Sequence, residues 1–138
     1  MIAFLSYLSL SYFASKPVEN RTTKTLVGTQ KILRGYDATG VDILESSVIM
    51  SQAGDGLALN RAIFTLLANK GVKVEGVGVS SNGEFLDEWG TPFLFAITNT
   101  TQYDRLNPVM KREKWPFVIW SAGPNRTNEF GYGDDIYR

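Results

Sequence analysis

The chain has 138 residues, 43% of them hydrophobic, with 14 lysines and arginines against 14 aspartates and glutamates. That length buries one modest core with an appendage rather than two ordinary domains, and the balanced charge supplies no field toward nucleic acid or anionic lipid. Neither cysteine nor histidine occurs, which excludes disulfides, thiolate chemistry, zinc–thiolate sites and every Ser-His or Cys-His arrangement.

In chain order, Ile2 to Ala14 is uncharged and rich in Leu, Phe and Tyr. It is too short to span a bilayer alone, since about 20 residues are needed. It reads as the end of a longer apolar membrane helix. The alternatives are a signal-peptide core, for which the basic start and small-residue cleavage site are weak, and a buried strand or helix of a soluble domain. Residues 1–16 are therefore taken as the remnant of that helix, and residues 17–138 as the globular domain. Val18 to Tyr36 continues as a helix, because Leu26, Ile32, Leu33 and Tyr36 recur at helical spacing. Pro17 stands at the junction, and Gly35 and Gly40 mark the end. The segment 41–50 is apolar without a clear period. A turn at 51–56 then leads into a short helix carrying Leu57, Leu59, Ile63, Phe64, Leu66 and Leu67, for which Asp55 is the expected N-cap.

The second half changes period. Phe93 to Ile97 and Trp115 to Trp120 read as strands, joined by a polar connection over 98–114, with Pro116 at a strand start where its missing amide hydrogen does least harm. The predicted architecture is α+β: a long N-terminal helix and a short second helix packed on a small antiparallel sheet.

Two strings carry the chemistry. Asp87-Glu88-Trp89-Gly90-Thr91-Pro92-Phe93 reads as a tight turn that packs an indole on the core. The other, Ser121-Ala122-Gly123-Pro124-Asn125-Arg126-Thr127-Asn128-Glu129-Phe130-Gly131-Tyr132-Gly133-Asp134-Asp135-Ile136, is a glycine-rich loop dense in oxygen donors that closes on two carboxylates. Hard cations such as calcium take six to eight oxygens from a chain flexible enough to curl round them, although this string does not follow the EF-hand spacing. A solvated tail closed by an Arg126 ion pair to Asp134 or Asp135 is the metal-free alternative. A catalytic reading would need Asp87 with Glu88, or Asp134 with Asp135, to act as acid and base. Neighbours in sequence rarely face each other across a substrate, so no enzymatic activity is expected.

The two strings in this order resemble the C-terminal region of the type II secretion major pseudopilins, a type IV pilin-like family. There an Asp-X-Trp-Gly-X-Pro-Tyr/Phe turn and a strand precede a Ser-X-Gly-X-Asp-Gly loop ending in paired aspartates. Pro17 is similar in place to a proline that the family carries in its apolar helix. Counting back from it implies that the chain starts inside that helix, after the family's leader, processing site and glutamate. The resemblance implies a pilin-like fold and a structural role in a pseudopilus. It also implies partners that are further pseudopilin subunits, with the inner membrane reached through a fuller N-terminal helix, and a head in the periplasm of a bacterial envelope. Carried over residue by residue, it implies a calcium site formed by Ser121, Asn125, Asp134 and Asp135. Asn125 departs from the family's aspartate, and Arg126 from its glycine. The alternative is an envelope-anchored or secreted pilin-like module that does not polymerise and binds through Tyr103, Tyr132 or Tyr137.

Overall fold

A computed structural model describes residues 2–38, 40–74, 77–111 and 115–138, with side chains from residue 18 onward except residue 19. The first helix, α1, spans Ile2–Tyr36, followed by α2 (Val41–Glu45), α3 (Ser47–Ser51) and α4 (Gly56–Asn69). Next come the short strands β1 (Gly78–Val79), β2 (Phe85–Leu86) and β3 (Leu94–Ile97), then α5 (Thr101–Asp104), a 3₁₀ turn (Pro108–Met110) and β4 (Phe117–Trp120). The class is α+β. The expectation for residues 1–16 as a membrane-helix remnant concerns side chains outside those described. Among the described residues no helix is long and apolar enough to cross a membrane.

The face that α1 buries is set by Thr22, Thr25, Leu26, Thr29 and Leu33, each at most 7% exposed, at the spacing of one helical stripe. Three of these are threonines, which a purely apolar template passes over. The Thr29 hydroxyl is satisfied by donating to the Thr25 carbonyl at 3.0 Å. The helix runs on through Gly35 to Tyr36 and turns at Asp37. The Asp37 carboxylate accepts from the amides of Gly40 (3.0 Å) and Ile43 (2.9 Å), which seeds α2. The segment of unclear period is thus two five-residue helices in succession. Each is too short to show a helical repeat. As its sequence predicts, Asp55 caps α4, accepting from the amides of Leu57 (2.9 Å) and Ala58 (3.2 Å).

Instead of one sheet there are two antiparallel ribbons. β1 pairs with β2, and β3 pairs with β4 in the register Leu94↔Trp120 to Ile97↔Phe117. Pro116 lies just ahead of β4, where its carbonyl accepts from Thr98 N at 2.9 Å. Leu26, Leu33, Ile43, Leu59, Ile63, Leu67, Phe85, Phe93, Phe95 and Ile119 make the main core between the helices and the ribbons. A smaller cluster of Leu106, Met110 and Trp120 lies on the other side of β3–β4. Asn60 of α4 joins the layers: its Nδ2 donates to the carbonyls of Phe85 (3.0 Å) and Phe93 (2.8 Å), and its Oδ1 accepts from Phe85 N (2.8 Å).

Candidate metal centre

The chain leaves β4 at Ser121, which pairs with Ile136 through both backbone groups at 2.8 and 2.9 Å. Everything between them is therefore a closed loop. It is held from inside by Asn128, whose Oδ1 accepts from Trp120 Nε1 (3.1 Å) and Phe130 N (3.0 Å). From outside, Asn107 donates its amide to the Phe130 carbonyl (2.8 Å) and its Nδ2 to that of Gly131 (3.1 Å). Arg105 lies over the Phe130 ring at 4.1 Å. Arg126, Phe130, Gly123, Gly131 and Gly133 all have positive φ, so the loop folds back on itself and carries residue 129 against 134 and 135.

One carboxylate oxygen each from Glu129, Asp134 and Asp135 lies within 4.8 Å of the others. Asp135 is 8% exposed, and its Oδ2 accepts from Glu129 N (2.9 Å) and Gly131 N (3.0 Å). Asp134 Oδ2 accepts from Asn125 N (3.0 Å), and Glu129 Oε1 from Asn125 Nδ2 (2.7 Å). The remaining oxygens, Asp134 Oδ1 and Asp135 Oδ1, are buried and have no hydrogen-bond partner. Buried acceptors without a donor are costly. Loss of solvent pushes both aspartate carboxyls above the ordinary carboxylate range, further helped in each case by the neighbouring carboxylate of Glu129. Glu129 moves the opposite way, held down chiefly by the hydrogen bond from the Asn125 side-chain amide.

The sequence-predicted ligands divide. Asp134 and Asp135 come together. Asn125 borders them, but its Oδ1 accepts from Thr127 N at 2.9 Å, so it presents its Nδ2 to the cluster. Ser121 faces away. Its Oγ donates to Asp87 Oδ2 at 2.7 Å and accepts from Gly123 N at 3.0 Å, and its carbonyl is bound to Ile136 N. In its place stands Glu129, which the sequence reading left out; its separation from the aspartates vanishes only once the loop folds back. Among the described residues Arg126 makes no ion pair, so the Arg126 closure with Asp134 or Asp135 is not formed.

The other string also differs from its expected role. Trp89 is half-buried and outside both core clusters. The buried organiser is Asp87, 4% exposed, whose Oδ1 accepts from Trp89 N (3.0 Å) and Thr91 N (2.9 Å). Its neighbour Glu88 turns to α1, accepting from Thr25 Oγ1 at 2.9 Å and lying 3.8 Å from Arg21. Of the three tyrosines considered for binding, only Tyr132 is exposed, at 53%. Tyr103 and Tyr137 pack against the smaller core cluster. A groove of about 480 Å³ between α3 and α4, lined by Ile49, Ala62 and Leu66, is apolar and lies on different elements from the carboxylates.

Three carboxylates, two of them with an unpartnered buried oxygen, fit a hard divalent cation such as calcium, which takes oxygen donors only. A bound cation would supply positive charge where none of the described residues does. The pH dependence follows from the raised aspartate carboxyls. With folded values above the unfolded ones, the native state binds more protons, so stability falls as pH rises from about 4 through the raised values. Glu129 acts oppositely, but only at and below its ordinary range. With calcium chelated, these two carboxyls are expected to raise the thermal midpoint as pH is lowered through their raised range toward about 4. With calcium saturating, that rise is expected to vanish. Thermal unfolding across the two series checks both expectations.

Comparison with models of known families, with curated proteins and with solved structures finds no match to this chain.

Proposed function

We propose that this chain is a structural subunit of a pseudopilus or type IV pilus-like filament in a bacterial secretion system, with its C-terminal loop held closed by calcium at Glu129, Asp134 and Asp135. The supporting observation is the 2.7 Å hydrogen bond from Ser121 to Asp87. The two strings that carry the resemblance lie 34 residues apart at this contact, yet they form one structural unit beneath the carboxylate cluster. A long helix docked on an α+β head suits assembly by packing of like helices, and the reading assigns the chain no bond chemistry.

Calcium titrated into the chelator-treated chain is expected to raise the thermal midpoint, and Asp134→Ala with Asp135→Ala to abolish the rise, as linkage requires of a ligand that binds only the folded state. No shift at millimolar calcium would remove the cation from the proposal. Assembly is tested separately by chemical crosslinking of the intact envelope. A ladder at multiples of the monomer mass is the expected result. Monomer alone would turn the assignment to the envelope-anchored binding module that does not polymerise.

A further inference from the structure

The carboxylate loop is joined to α1 by an unbroken run of short contacts. On α1, Thr25 Oγ1 donates to Glu88 Oε1 (2.9 Å) and Thr22 Oγ1 accepts from Glu88 N (3.1 Å). One residue back, Asp87 accepts the Ser121 hydroxyl at 2.7 Å, and the same hydroxyl accepts from Gly123 N at 3.0 Å. Gly123 lies against the Asp134 backbone so closely that a Cβ there would overlap the Asp134 carbonyl oxygen. Thr22, Thr25, Asp87 and Ser121 are each at most 7% exposed, whereas Glu88 between them is exposed, so water substitutes poorly for a missing partner at the buried members of the path.

We propose that Asp87 and Ser121 are positioning residues that link cation occupancy of the Glu129–Asp134–Asp135 loop to the docking of α1 on the head. The proposal rests on the cation reading above and adds to it where the binding energy goes. The two-state element is the loop. Uncompensated, its carboxylates repel and two buried oxygens lack donors, which favours opening. Closed, it fixes Gly123 and Asp134, hence the Ser121 hydroxyl, hence Asp87 and the turn whose next residue grips Thr22 and Thr25. Linkage makes such coupling reciprocal: whatever loosens the α1 end must weaken cation binding at the other. For a subunit whose helix is its means of assembly, a cation entering the loop would thereby set how firmly head and helix are joined.

The test is Thr25→Val in the full chain, which keeps the buried shape, removes the bond to Glu88 and touches none of the three carboxylates. Calcium affinity measured calorimetrically is expected to fall about 2- to 10-fold, the range a single hydrogen bond can transmit. Ile63→Val, which trims the α4 core away from the path, serves as the control and is expected to leave affinity unchanged. Hydrogen exchange supplies the second readout. Calcium is expected to slow exchange of the α1 amides around 22–29, and Ser121→Ala to confine that protection to the loop. Unaltered affinity in Thr25→Val, or wild-type protection confined to 121–136, would overturn the coupling while leaving the cation site standing. Absence of any calcium binding by the unaltered chain would overturn both.

Discussion

Replacing Asn60 by alanine is expected to destabilise the domain by about 3 kcal/mol, since the change strands buried backbone groups at about 1–3 kcal/mol each. Asn60 is 0% exposed and is the point at which α4, β2 and Phe93 are fastened together. Phe85 O has a second donor in Phe93 N at 2.9 Å, so the loss falls mainly on Phe85 N and Phe93 O. Asn69, exposed near the end of the same helix, is the control, and its alanine variant should stay within about 0.5 kcal/mol of the parent. Urea denaturation of both variants decides the matter. Equal midpoints would mean that the ribbon closes without the Asn60 amide. Against a total stability of about 5–15 kcal/mol for a domain, the expected loss is large.

Asn60 also marks where the sequence ceases to be legible. The apolar period of α4 is plain in Leu59, Ile63, Phe64 and Leu67, and Asp55 announces its start. Nothing in that period separates a buried asparagine from one on the solvent face, because its partners are backbone groups 25 and 33 residues away. The same holds for the threonines of α1. Thr22, Thr25 and Thr29 read as polar by type, but their place on the Leu26–Leu33 stripe makes them interior, and their hydroxyls are satisfied locally or by Glu88. β3 and β4 were legible because four consecutive apolar and aromatic residues need a partner of the same kind. β1 and β2, two residues each, are set by tertiary contacts and leave no period to read.

At the candidate site, composition and position differ in the same way. Oxygen donors and glycines show in the sequence what the loop can bind, and Asp134 and Asp135 are where they were expected. Which other residues join them depends on the direction of the backbone at each positive-φ residue. Ser121 has the right chemistry, but it sits at the bridge to Ile136, where both its oxygens are already engaged. Glu129 enters the cluster because the chain folds back between it and Asp134. A tryptophan-glycine turn likewise draws the eye to the indole, whereas the buried group that organises it is the carboxylate of Asp87.

Gly123→Ala is expected to cost the loop about 2 kcal/mol or more and to abolish the calcium-dependent rise in thermal midpoint. Two effects add. The residue has φ 73°, where an L side chain costs about 1–2 kcal/mol. A Cβ would also overlap the Asp134 carbonyl oxygen and stand 3.0 Å from its carbonyl carbon. Those atoms are backbone, so relief requires moving Asp134 itself, and with it one wall of the carboxylate cluster. Gly71→Ala separates the two contributions: its φ is 72° and a Cβ there meets nothing within 4 Å, so it carries the conformational cost alone. If the overlap matters, the Gly123 variant should melt lower than the Gly71 variant and only the Gly123 variant should lose its calcium response. Equal melting with the response intact in both would show that the loop can shift Asp134 without opening the site. That outcome would detach Gly123 from the path between the cation and α1.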